Sequence, residues 1–170
     1  MTAWVALIRA VNVGGRLLKM SSLKAIADQL KLANARTYIA SGNLLFTSDK
    51  RESVLKVALE KALGRHMGHP VDVILRTAEE MVRAVEANPF GSCPGNRVVA
   101  IFIDDAPVRD TLAQAKNITD EEVALGDREI YVHYPSGMGR SKLRIPAAKS
   151  GTARNMNTAA KLAQLAKEMA

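Results

Sequence analysis

The sequence predicts an α/β (α+β) fold made of two ferredoxin-like units of form βαββα(β), built by an apparent duplication. Three observations carry this. The apolar patterns of residues 1–76 run strand, helix, strand, strand, helix, strand, which is the order of the ferredoxin-like arrangement. From Val98 onward the order strand, helix, strand, strand, helix returns. The composition, 48% hydrophobic and 24% charged over 170 residues, is that of a globular chain with an aliphatic core. It excludes a disordered chain, a collagen and a disulfide-stapled scaffold. The units are expected at 1–76 and 77–170, with the C-terminal helix packing back on the first.

Each element has a local reason. Ala3 to Arg9 is a continuous apolar run up to its last residue and reads as a buried strand, not as a signal peptide, since no basic segment precedes it. Leu23, Ile26, Ala27 and Leu30 recur at helical spacing, so a helix is expected over 21–32, capped by Ser21 or Ser22 and stopped near Asn34. Thr37–Ala40 and Leu44–Thr47 are β-prone runs around Ser41-Gly42-Asn43, a hairpin signal. Val54, Leu55, Ala58, Leu59, Ala62 and Leu63 give a helix over 53–64 that Gly64 stops, and Val71–Leu75 closes the unit.

In the second half, Thr77 and Glu80 stand at capping-box spacing ahead of a helix over 77–87. Val98–Ile103 reads as a buried strand. Pro107, with Leu112 and Ala115 behind it, suggests a helix over 107–116. Glu122–Leu125 and Glu129–Tyr134 pair about Gly126-Asp127. A last helix is expected over 156–168. No final strand is visible in the second copy.

The net charge of +7 is unevenly spread. Residues 1–76 carry twelve Lys/Arg against five Asp/Glu, residues 77–134 five against eleven, and residues 135–170 seven against one. Such blocks either help the parts dock or form a basic face that concentrates anions. Aromatics make up only 4% of the chain, too few for a groove of stacked aromatic platforms on single-stranded nucleic acid. The single Cys93 permits no internal disulfide, which fits a cytoplasmic location.

Four segments stand out together: Leu7-Ile-Arg-Ala-Val-Asn-Val-Gly-Gly15, Thr37-Tyr-Ile-Ala-Ser-Gly-Asn-Leu-Leu-Phe46, Tyr134-Pro-Ser-Gly-Met-Gly-Arg-Ser-Lys-Leu143 and Gly151-Thr-Ala-Arg-Asn-Met-Asn-Thr158. On these the chain resembles the domain-of-unknown-function family 1697, uncharacterised bacterial proteins, along nearly its whole length. The resemblance implies two ferredoxin-like halves and no particular activity. The family usually has Gly where Ala10 stands and Trp where Met156 stands, so ligand stacking at Met156 is not expected.

The candidate ligand residues are polar groups at turns and helix entries. Arg9, Asn12, Gly14 and Gly15 lie where the first strand ends, and paired glycines let backbone N–H groups converge on an anion. Ser41 and Asn43 flank the hairpin glycine. Ser141 and Lys142 sit in a Gly/Lys/Arg-rich stretch that lacks the spacing of a nucleotide P-loop. Arg154, Asn155, Asn157 and Thr158 enter the last helix, where free N–H groups attract anions and a guanidinium adds a planar fork. The expected site joins the first loop, the hairpin turn and this helix start.

No cofactor and no metal site is expected. His66 and His69 read as an exposed loop pair without further ligands, and no motif ties Cys93 to His133. The leading expectation is a cytoplasmic protein that binds an anionic small molecule, a phosphorylated metabolite or a nucleotide. The alternatives are a nucleic-acid-binding module using a basic face and a protein-interaction domain with no small ligand. No paired carboxylates or nucleophile motif specify a reaction.

Overall fold

A computed structural model describes residues 1–9, 18–39 and 42–170. The chain falls into two compact units, Met1–Met81 together with Leu162–Ala170, and Val82–Lys161. Each contains one four-stranded antiparallel sheet. No helix among the described residues is long and apolar enough to cross a membrane.

The first unit runs β1 (Thr2–Ile8), α1 (Met20–Gln29), β2 (Ala33–Thr37), β3 (Asn43–Ser48), α2 (Glu52–Met67) and β4 (Val73–Thr77). The strands lie in the order β2-β3-β1-β4, and every neighbouring pair is antiparallel. This is the ferredoxin-like arrangement, in which β3 separates β1 from β2 and each crossover carries a helix. Trp4, Ala6 and Ile8 share one face with Leu44, Phe46, Val73 and Leu75, and pack with Leu23 and Ile26 of α1 and Leu55, Leu59 and Leu63 of α2. Val5, Leu7, Leu45 and Ile74, on the opposite face, are also buried. Burial on both faces explains why β1 is a continuous apolar run and not an alternating one.

Four local expectations in this unit need correction. Neither Ser21 nor Ser22 holds the N-cap position of α1; Lys19 does, and its side chain makes no cap hydrogen bond. Asn34 does not stop α1, which ends at Gln29. It sits in β2 with positive φ at a register shift and donates its side-chain N–H to Thr47 Oγ1 at 3.0 Å. The strand ends at Thr37, because Ile39 takes positive φ and Asn43 closes the turn onto Tyr38; Ala40, the last residue of the expected strand, lies outside the described residues. Gly64 lies inside α2. The helix ends at Gly68, whose φ of 77° is the left-handed cap that glycine adopts freely.

β4 leads into α3 (Ala78–Glu86) through the expected capping box. Glu80 N–H donates to Thr77 Oγ1 at 3.1 Å, and Thr77 N–H donates to Glu80 Oε2 at 2.9 Å.

The second unit holds β5 (Val98–Phe102), β6 (Glu122–Leu125), β7 (Glu129–His133) and β8 (Thr152–Asn155), in the order β6-β7-β5-β8. The strand order of the first sheet is thereby repeated. The expected helix over 107–116 is absent. That segment forms a 3-10 turn at Arg109–Thr111, and Leu112 is 45% exposed. Two apolar residues, Leu112 and Ala115, are too little buried face to hold so short a helix.

The strand missing from the sequence reading is β8, paired with β5. It is admitted by Gly151, where a Cβ would lie 2.6 Å from the Phe102 carbonyl oxygen. The chain then enters α4 (Met156–Met169), with Asn155 Oδ1 accepting from Thr158 N–H at 2.9 Å.

Candidate functional site

The Gly/Lys/Arg-rich stretch between β7 and β8 is ordered by its own alternation. Leu143 and Ile145 turn inward onto the cluster of Val99, Ile101, Ile130 and Val132, while Lys142 and Arg144 are exposed. Backbone hydrogen bonds then tie this stretch to the segment before β6. Lys116 N–H donates to the Arg144 carbonyl at 2.8 Å, and Arg144 N–H returns a bond to the Lys116 carbonyl at 2.9 Å.

A carboxylate pins the other end of the stretch. Glu121 is 6% exposed and accepts from Ser141 Oγ at 2.6 Å, Thr119 Oγ1 at 2.7 Å and the N–H groups of Thr119 and Asp120. The Ser141 hydroxyl, followed by the Thr119 donors, holds its carboxyl at about 2, far below the ordinary 4.5. Burial and the charge of Glu121 push the nearby Tyr134 phenol up. A polar hollow of about 370 Å³ lies here, lined by Thr119, Asp120, Ser136, Gly137, Arg140 and Ser141. The Ser136 and Ser141 hydroxyls already donate to Asp120 and Glu121. A carboxylate that stays ionised to about pH 2 is too weak a base to activate Ser141 at neutral pH. The network is a clasp.

Beyond the clasp is a groove of about 500 Å³. Lys116, Arg144 and Lys149 bring three positive charges to it, over Leu143, Ile145, Pro146 and Ala148. Among the described residues, the Lys116 and Arg144 side chains have no ion-pair or hydrogen-bond partner. Three converging cations with an apolar floor, in a volume usual for small ligands, suit an anion. None of the three was singled out from the sequence. They come from two segments that the Lys116–Arg144 bridge brings together.

The residues expected from the sequence are placed as follows. Asn12, Gly14, Gly15 and Ser41 lie outside the described residues. Arg9 follows β1 and donates from Nη1 to Asp72 Oδ2 at 3.1 Å. Asn43 is fully buried and donates from Nδ2 to the Tyr38 carbonyl. Ser141 belongs to the clasp, and Lys142 is exposed beside it. Arg154 lies in β8 and not in the first turn of α4. It is 7% exposed and donates from Nη1 to Thr152 Oγ1 at 2.7 Å and to the Ala153 carbonyl at 3.0 Å. Burial pushes its guanidinium down to about 10. Asn155 caps α4. Asn157 packs against Gly95, where a Cβ would collide with its Oδ1, and Thr158 supplies the capped N–H.

Arg76 in β4 is a second strand-borne guanidinium that the sequence reading passed over. It is 1% exposed and donates from Nη1 to the Leu75 carbonyl.

The structure does bring Cys93 and His133 together, with Sγ 3.8 Å from Nδ1. Glu122 Oε1 stands 3.0 Å from the same nitrogen. A nucleophile–base–carboxylate relay needs both ring nitrogens, one toward each partner, so this is no triad. His66 lies in the last turn of α2, not in a loop. Among the described residues, no group of three His, Cys, Asp or Glu is placed to hold a metal ion.

The family model described as Protein of unknown function (DUF1697) matches residues 1–131. The chain belongs to this family. Among solved structures, the conserved bacterial protein SP0830 from Streptococcus pneumoniae is similar, with 26% identity and a TM-score of 0.82 over 98% of this chain and 99% of that one. That similarity runs through the residues beyond the DUF1697 match, β8 and α4 included. No curated protein matches the chain.

Proposed function

We propose that this DUF1697 protein binds an anionic, phosphate-bearing small molecule or nucleotide in the cytoplasm. One observation carries the reading: Lys116, Arg144 and Lys149 converge on a single groove. A guanidinium offers a planar fork to a phosphate, and ammonium groups on either side add charge without fixing orientation. The clasp at Glu121 supports it, because pinning Ser141 holds the adjoining Lys142–Arg144 segment in one conformation before a ligand arrives.

The test is thermal denaturation with inorganic phosphate, pyrophosphate and ATP as probes. A ligand at about a hundred times its Kd should raise the melting temperature by roughly 5–10 °C for a chain of this size. No rise with any of the three, in low-salt buffer, would overturn the reading. Binding of a generic oligonucleotide that falls steeply with salt would favour a nucleic-acid partner instead.

A further inference from the structure

The lining of the cationic groove narrows the class of anion. Among the described residues, it presents Leu143, Ile145, Pro146 and Ala148 apart from Lys116, Arg144 and Lys149, with no hydroxyl, amide, imidazole or carboxylate side chain. The nearby backbone offers little more. The N–H and carbonyl groups of Lys116 and Arg144 bond each other, and the Ile145 carbonyl accepts from Ala148 N–H at 3.0 Å. A sugar phosphate placed here would lay hydroxyls along Leu143, Ile145, Pro146 and Ala148 and forgo the apolar contact that a hydrocarbon body gains there.

We infer that the groove selects amphiphilic anions, phosphate monoesters bearing an alkyl or aryl body, over phosphorylated polyols. The phosphate meets the Arg144 fork and the Lys116 ammonium, and the hydrocarbon lies on Ile145, Pro146 and Ala148. This rests on the anion-binding reading above and adds the nature of the ligand's uncharged part.

Calorimetric titration of the full chain with four probes tests it: inorganic phosphate, glucose 6-phosphate, hexyl phosphate below its micelle concentration, and hexanol. Hexyl phosphate is expected to bind about tenfold or more tightly than inorganic phosphate and glucose 6-phosphate, the effect of roughly two buried methylenes. Its binding is expected to fall at least about tenfold in Lys116→Met and Arg144→Met, taken singly or together. If glucose 6-phosphate binds as tightly as hexyl phosphate, and both need Arg144, the amphiphile class is wrong while anion binding stands. If hexanol binds as well as hexyl phosphate, or if the variants bind every phosphate like the parent, the groove is not an anion site and both readings fall.

Discussion

Arg76 and Arg154 hold equivalent places in the two sheets. Each lies in a strand at the end of its sheet, β4 or β8, beside a central strand residue, Val5 or Ala100. Each is buried, and each donates from Nη1 to the carbonyl of the residue before it, at 2.9 and 3.0 Å. A long side chain folded back on its own strand fills space as well as carrying charge.

Arg154→Ala should therefore act on folding. It leaves a cavity and strips Thr152 Oγ1 of its donor, so a loss of about 2–4 kcal/mol is expected in urea denaturation without added anions. Arg76→Ala should cost a similar amount. A variant of Arg154 that unfolds at the parent's urea midpoint, yet responds less to phosphate, would put the guanidinium back among the ligand contacts.

Lys116 and Arg144 should behave in the opposite way. Both are exposed, and replacing either with Met should change stability in plain buffer by no more than about 0.5 kcal/mol. The stabilisation given by pyrophosphate should shrink by about 1.5–3 kcal/mol of binding for each charge removed. Thermal melts with and without the anion read both quantities at once.

The clasp predicts a dependence on acid. The Glu121 carboxyl is lower in the folded protein, at about 2, than its ordinary 4.5. The stability it contributes is thus complete above about 4.5 and drains away as pH falls through about 2. Glu121→Gln should be less stable than the parent at pH 6, and the gap should close as the pH is lowered toward 2. Ser141→Ala removes the largest cause of the shift and should move the acid transition upward. A constant gap between parent and Glu121→Gln from pH 6 to pH 2 would show that the carboxylate charge is not what the network uses.

The edge strand β8 depends on Gly151. Valine there would drive carbons into the Phe102 carbonyl and the Ile103 side chain, costing about 1–3 kcal/mol or more. Hydrogen exchange should show the Thr152–Asn155 amides losing protection before those of β7.

The first unit was legible because its helices and central strands bury wide apolar faces, and residues such as Leu55, Leu59 and Leu63 print that burial on the sequence. The Thr77–Glu80 box was equally plain, since both partners lie within one turn. β8 was hidden because Thr-Ala-Arg-Asn has no apolar alternation. Its evidence is steric and sits at Gly151, visible only once β5 is in place. Gly64 misled for the same reason, since a glycine in sequence does not reveal whether its backbone must be left-handed. The cationic groove was out of reach because Lys116 and Arg144 meet through backbone bonds between distant segments. The basic block over 135–170 is plain in the sequence, but not which of its charges line one groove.

The second sheet keeps the strand order of the first but has no α-helix in either of its two crossovers. A helix dictates its neighbours three and four residues away, so each surface charge on it is tied to a buried partner at fixed spacing. The extended stretch around Leu143 and Ile145 imposes only a two-residue rhythm. Its outward positions can change chemistry while the inward ones stay as they are. Within one fold, this is where descendants of a common ancestor could acquire different ligand preferences without rebuilding the interior.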